Sequence, residues 1–145
     1  GCPILRRDMT IRLGINGMGR IGRLVLRHAL ARSANFEGSG AVRKGPAMQV
    51  VAANDLADAD ELAYLLSHDS VHRCGLPKAH AEGGALHVGG GAIALFKEKD
   101  PAKIPWAAHG VDIVIEATGK FTTREGMAGH RAQENGPSHV ILAAP

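Results

Sequence analysis

The chain has 145 residues, of which 45% are hydrophobic and 21% are charged, and its formal net charge is +3. These values are typical of a single globular domain and exclude an intrinsically disordered chain. No run of about 18 apolar residues occurs, which excludes a membrane-spanning helix. Residues 1–8 are too short and too charged for a signal peptide, so we interpret them as a leader or an expression remnant before one domain at 9–145.

The first predicted elements are a strand and a helix joined by a glycine-rich turn. Residues 10–15 alternate like a short strand, and apolar residues recur at helical spacing from Ile21 onward. Between them, Gly17, Gly19 and Gly22 fit G-x-G-x-x-G, whose glycines permit a tight turn, close approach of a pyrophosphate, and close packing of helix on strand. The helix start adds unpaired N–H groups and a partial positive charge. The turn therefore predicts phosphate binding, although a purely structural corner would show the same pattern.

The second predicted strand covers residues 48–53 and ends in Asn54 and Asp55. In a dinucleotide site, a carboxylate at this strand end, about 20 residues after the glycines, accepts hydrogen bonds from a ribose. Asp55 comes later than that, which we attribute to an insertion in the loop predicted at residues 33–46. The alternative is that Asp55 only caps the helix that follows.

A helix and a meander are predicted next. Residues 58–68 form a short amphipathic pattern, and Asp58 with Glu61 has the spacing of a capping box. Residues 76–96 contain three short extended segments separated by glycine turns, which predicts a small antiparallel meander. Residues 100–106 then predict a short helical or irregular piece.

The clearest buried strand is predicted at residues 111–117, and it ends in Thr118 and Gly119. Small residues at this point are expected in the second half of a doubly wound sheet, where a ligand lies at the carboxyl edge. A helix at 122–135 and a final strand at 139–144 follow. The sequence thus predicts an α/β fold: a Rossmann-type, doubly wound, mostly parallel sheet with the small antiparallel meander inserted.

Cysteine and histidine usage predicts no metal site. Cys2 and Cys74 are the only cysteines and lack metal-ligand spacing, which is typical of a reducing compartment and of an incidental thiol at Cys74. His68 and His72 are four residues apart, but the residues between them break the helical pattern. No cluster is predicted for the other histidines considered, His80, His87, His109, His130 and His139.

Five segments occur in a fixed order along the chain: residues 14–23, 54–56, 66–72, 99–106 and 116–123. The first is the glycine-rich turn, the second reads Asn-Asp-Leu, the third Leu-Ser-His-Asp-Ser-Val-His, the fourth Lys-Asp-Pro with Ile-Pro-Trp, and the fifth Glu-Ala-Thr-Gly-Lys-Phe-Thr-Thr. Together they resemble the amino-terminal, NAD-binding domain of phosphorylating glyceraldehyde-3-phosphate dehydrogenases, from about residue 11 to residue 145. Several of these segments are more specific than the glycine pattern alone.

The resemblance implies NAD as the cofactor and a role for each matching residue. The backbone of Arg20 and Ile21 would hold the pyrophosphate, and Asp55 would bind the adenosine ribose. Because a carboxylate there repels a 2′-phosphate, NAD is preferred to NADP. Lys99 stands where the family usually has an arginine near the adenine. The candidate cofactor-binding residues are Asn16, Gly17, Gly19, Arg20, Ile21, Gly22, Asn54, Asp55, Lys99, Thr118, Gly119 and Phe121.

The resemblance also implies an enzyme of which this chain is one part. The family's cytoplasmic homo-oligomer, a tetramer, oxidises D-glyceraldehyde 3-phosphate with NAD and phosphate in glycolysis, using a cysteine nucleophile and a histidine base that follow this domain. The surroundings of Cys74 do not match the cysteine motif, so we assign no catalytic residue and expect this chain to bind cofactor without catalysis. Met18 and Ala143 replace a phenylalanine and a serine of the family.

Two alternatives remain open. One is the NAD-binding domain of an erythrose-4-phosphate dehydrogenase, which shares the fold. The other is a stand-alone nucleotide-binding or RNA-binding module that uses the basic first helix, with Arg20, Arg23, Arg27 and Arg32. Aromatic residues for base stacking make up only 3% of the chain, which disfavours a nucleic acid partner, and no membrane partner is expected.

Overall fold

The computed structural model describes residues 10–32, 47–68, 78–89 and 91–143. The strands within these ranges are β1 (Ile11–Asn16), β2 (Met48–Asn54), β3 (His80–Glu82), β4 (Ala85–Val88), β5 (Gly91–Phe96), β6 (Ile113–Glu116) and β7 (His139–Leu142). The helices are α1 (Arg20–Arg32), α2 (Ala59–Ser67) and α3 (Arg124–Ala128), with 3-10 turns at Pro101–Lys103, Ala107–His109 and Gly129–Arg131. The predicted loop insertion and Cys74 lie outside the described residues.

The strands form one seven-stranded sheet in the order β3-β4-β5-β2-β1-β6-β7. The five strands from β5 to β7 in this order are parallel, whereas β3 and β4 pair antiparallel with each other and β4 with β5. The chain moves outward from β1 in one direction to β2 and returns to the other side of β1 at β6. This is a doubly wound sheet with its topological switch point between β1 and β6, and the predicted α/β, Rossmann-type fold is confirmed.

Two apolar clusters cover the two faces of the sheet. One joins strand residues such as Ile15 to side chains of α1 and α2 such as Leu26 and Leu62. The other is built around Trp106, which is fully buried. A Cβ added at Gly14 would lie 2.6 Å from Cζ3 of Trp106, so the middle of β1 carries a glycine because the indole packs directly on the strand backbone.

Two local predictions are wrong. Asp58 does precede α2, but its carboxylate makes no capping hydrogen bond and instead accepts one from Lys97, so the capping box does not form. The helix predicted to reach residue 135 ends at Ala128, where a 3-10 turn begins, because Gly126 and Gly129 lower helix propensity in so short a segment. The predicted meander is confirmed, and its last strand β5 also pairs in parallel with β2.

Among the described residues, none of the helices is both long enough and apolar enough to cross a bilayer.

Candidate functional site

A cleft of about 580 Å³ opens at the carboxyl ends of β1, β2 and β6, beside the switch point of the sheet. Ligands of doubly wound folds bind at this position because the loops diverge there and leave a crevice. The lining residues are Asn16, Gly17, Gly19, Asn54, Asp55, Leu56, Glu98, Lys99, Ala117, Thr118, Lys120 and Phe121.

The three glycines of the turn between β1 and α1 have different surroundings. Gly17 has a φ of +97°, and a Cβ on it would lie 2.8 Å from the backbone nitrogen of Thr118. A Cβ on Gly22 would lie 1.9 Å from the carbonyl oxygen of Gly17, so this glycine lets α1 pack on the turn. Gly19 lines the cleft, and no atom lies within 4 Å of its Cβ position. Open space before the backbone at the start of α1 is what an approaching anion requires.

The Asp55 carboxylate lies at the rim of the cleft in a defined orientation. Its Oδ2 accepts a 2.7 Å hydrogen bond from the Met18 N–H, and its Oδ1 accepts a 2.8 Å hydrogen bond from the Ala57 N–H. Asp55 therefore ties the glycine turn to the end of β2 and does not cap α2, whose N-cap is Asp58. A carboxylate oxygen has two lone pairs, so each can accept one further hydrogen bond from a ligand hydroxyl.

A buried polar network lies beneath the cleft and joins three strand ends. Asn54 donates from Nδ2 to Asn16 Oδ1 and to the Glu98 carbonyl, at 2.9 Å each. Asn16 in turn donates to Glu116 Oε1 at 2.6 Å, and Glu116 Oε2 accepts from the N–H and the hydroxyl of Thr118. Because buried polar groups are costly unless paired, this network holds the ends of β1, β2 and β6 in one arrangement.

His130 completes the network from below. Trp106 donates its indole N–H to His130 Nδ1 at 3.0 Å, which assigns the imidazole proton to Nε2. Nε2 then donates to Glu116 Oε1 at 2.8 Å. Burial raises the pKa of Glu116, but the hydrogen bonds from His130, Thr118 and Asn16 outweigh it and hold that pKa below its ordinary value. The cleft thus rests on an ionised, fully buried carboxylate.

The loop after β6 forms one wall of the cleft. Thr118 donates its hydroxyl to Glu116 and accepts from the Lys120 N–H at 3.1 Å. Gly119 has a φ of +75° and is exposed, so the loop turns outward at this residue. The turn brings Phe121 back to line the cleft.

A family model described as "Glyceraldehyde 3-phosphate dehydrogenase, NAD binding domain" matches residues 11–124. The chain belongs to this family. The match covers the glycine turn, Asp55, the loop after β6, and all strands from β1 to β6.

Curated relatives of this domain carry the same name. The chain is 42% identical over 142 residues to glyceraldehyde-3-phosphate dehydrogenase of Mycoplasma pneumoniae, covering 98% of this chain and 38% of that protein. It is 44% identical over 137 residues to the Geobacillus stearothermophilus protein of that name, covering 94% and 36%. For the Yarrowia lipolytica protein of that name the identity is 41% over 138 residues, covering 94% and 36%. The chain therefore spans little more than a third of the length of these relatives.

The structure brings most of the predicted site residues of this NAD-binding domain together. Those that line the cleft are Asn16, Gly17, Gly19, Asn54, Asp55, Lys99, Thr118 and Phe121. Arg20 and Ile21 begin α1 beside Gly19, Gly22 is buried beneath the turn, and Gly119 lies in the exposed bend of the adjoining loop. The lining residues that sequence reasoning did not select are Leu56, Glu98, Ala117 and Lys120, each a direct neighbour of a selected residue.

The arginines of α1 do not form a continuous basic face. Arg23 donates to the Met18 carbonyl at 3.1 Å, and Arg27 donates to the Leu66 carbonyl at 2.9 Å. Both guanidinium groups therefore stabilise the contacts of α1 with the glycine turn and with α2. Of the four arginines considered, Arg20 is exposed beside the cleft, and the side chain of Arg32 lies outside the described part of the chain.

Proposed function

We propose that this domain binds NAD in the cleft, with the pyrophosphate at the start of α1 and the adenosine ribose at Asp55. The observation that carries the proposal is the meeting of an oriented carboxylate and an open glycine backbone in one cleft of a domain from an NAD-binding family. The first N–H groups of α1 and its helix dipole favour the negative charge of a pyrophosphate.

The chemistry of the cleft residues supports the same placement. Asp55 has acceptor capacity left for the two ribose hydroxyls, and its negative charge opposes a 2′-phosphate, so NAD is preferred to NADP. Lys99 lines the cleft beyond Asp55, where the adenine would lie. Thr118 and Phe121 would limit the cleft on the side of β6, with Gly119 in the bend between them.

For the whole protein, we propose oxidation of D-glyceraldehyde 3-phosphate with NAD and phosphate, in glycolysis, by a cytoplasmic homo-oligomer. Bound NAD would supply the hydride acceptor. Residues of this domain would bind and orient the cofactor, and the nucleophile and base would come from the remainder of the full-length protein. We propose that the 145-residue chain by itself binds NAD without turnover.

The test is isothermal titration of NAD into the 145-residue chain and into two carboxylate variants. Asp55→Ala is expected to weaken binding at least tenfold, because it removes both ribose acceptors. Asp58→Ala is the matched control, since Asp58 is an exposed carboxylate three residues away that does not line the cleft. Equal affinities for the wild type and Asp55→Ala would remove Asp55 from the site. The substrate is tested separately on the full-length protein, where a clear preference for erythrose 4-phosphate would overturn our assignment.

A further inference from the structure

Three metal-ligand side chains converge on the hairpin of β3 and β4, away from the cleft. His80 on β3 lies directly opposite His87 on β4, and Glu82 follows His80 by two residues. The two imidazole rings stack with a centroid separation of 4.9 Å and an interplanar angle of 11°. His80 Nε2 lies 3.7 Å from Glu82 Oε2. One donor atom from each of the three side chains lies within 4.8 Å of the other two.

The alternation of the strands places these side chains on one face. Leu86 and Val88, on either side of His87, are buried in the core beneath the hairpin. His80, Glu82 and His87 therefore point to the opposite, outward face, since successive side chains of a strand alternate. The next strand presents only a small residue there, because His87 lies opposite Ala92 on β5. The outward face has room for a metal ion and its water ligands.

The turn of the hairpin determines which residues face each other. Gly83 and Gly84 both have positive φ, +60° and +74°, as a two-residue hairpin loop of type I′ requires. This turn fixes the pairing of His80 with His87. A slip of one residue would turn one strand's side chains to the other face, so the glycine pair is what holds the three ligand groups together.

We propose that His80, Glu82 and His87 bind a divalent transition-metal ion of the Zn²⁺ class. Two imidazole nitrogens and one carboxylate oxygen suit Zn²⁺, Cu²⁺ or Ni²⁺, whereas Ca²⁺ and Mg²⁺ prefer sites made of oxygen alone. With Zn–N bonds of about 2.1 Å, tetrahedral ligand atoms are about 3.4 Å apart. Rotation of the exposed His80 and Glu82 side chains, which are 64% and 76% exposed, closes the present spacing. Three protein ligands leave at least one coordination position for water.

The experiment is a titration of the 145-residue chain with Zn²⁺ in competition with a chromophoric chelator. One equivalent of Zn²⁺ is expected to bind. His80→Ala and His87→Ala are each expected to weaken binding by about tenfold or more, Glu82→Gln is expected to weaken it less, and millimolar Mg²⁺ is expected not to compete. The matched control is His28→Ala, since His28 is an exposed histidine of α1 and is expected to leave Zn²⁺ binding unchanged.

A second measurement uses the wild-type chain and so does not depend on how the variants fold. In NMR spectra of the histidine side chains, Zn²⁺ is expected to shift the imidazole signals of His80 and His87 and to leave those of His28 and His139 in place. The proposal is overturned if no stoichiometric Zn²⁺ binding is seen. It is also overturned if His28→Ala weakens binding as much as His80→Ala, or if other imidazoles shift in place of this pair.

Discussion

His130 donates a 2.8 Å hydrogen bond from Nε2 to Oε1 of Glu116, and neither side chain has any solvent-exposed surface. The indole N–H of Trp106 occupies the other imidazole nitrogen, so this histidine is neutral and serves as a hydrogen-bond donor. The carboxylate that it contacts also receives Asn16 and Thr118, both of which line the cofactor cleft. The His130–Glu116 pair therefore connects the interior of the domain to the cleft.

Replacement of Glu116 by glutamine tests the energetic role of the pair. The amide keeps the shape of the side chain, but its NH₂ group faces donors, namely either Asn16 and His130 or the two donors of Thr118. We expect a loss of about 1–3 kcal/mol in unfolding free energy, the usual cost of unpaired buried donors. Urea denaturation measures it. Glu134→Gln on the exposed surface is the control, and a Glu116→Gln variant as stable as this control would contradict the prediction.

The same pair predicts a dependence of stability on pH. Hydrogen bonds keep the pKa of folded Glu116 below its ordinary value of 4.5. The unfolded state therefore binds a proton first as the pH falls, so the contribution of Glu116 is complete above about pH 4.5 and is lost as the pH falls below it through the folded pKa. The difference in stability between the wild type and Glu116→Gln should narrow in that range. A difference that is constant from about pH 6 to about pH 3 would rule out this linkage.

Alanine at Gly22 and at Gly19 should have separable effects. Gly22→Ala places a methyl group 1.9 Å from the Gly17 carbonyl oxygen, so the turn must shift, and we expect a loss of about 3 kcal/mol in stability together with weaker NAD binding. Gly19→Ala meets no atom within 4 Å, so stability should change by about 1 kcal/mol or less while NAD binding weakens. Thermal melts and calorimetry distinguish the two variants. Equal stability losses would show that the open space at Gly19 has no functional meaning.

The Asp55 carboxylate should also set the choice between the two dinucleotides. Asp55→Asn removes the charge that repels a 2′-phosphate and keeps a polar side chain at the rim. We expect the ratio of NAD to NADP affinity to fall by about tenfold, an electrostatic difference of about 1.4 kcal/mol. Paired titrations with both dinucleotides measure the ratio, with Asp58→Asn as the control. An unchanged ratio would place the determinant of selectivity elsewhere in the protein.

Local patterns in the sequence predicted the elements of the domain and most residues of the cleft. The glycine spacing, Asp55 after the second strand and Thr118 after the strand at residues 113–116 are local features, and the carboxyl ends of parallel strands must meet at one edge of the sheet. The end of α3 was not predicted well, because turn chemistry competes with weak helix propensity around Gly126 and Gly129.

By itself, the sequence determined the order of strands and helices, the phosphate-binding turn and the family, since each depends on spacing along the chain. Only the tertiary structure decided which polar groups meet. Glu116 and His130 are 14 residues apart and Trp106 a further 24 from His130, and no periodicity shows that the three bury their polar atoms together. His80 and His87, which the sequence treated as unclustered, face each other because the glycine turn sets the register of the hairpin. Contacts of this kind depend on strand pairing and burial, which are properties of the folded chain.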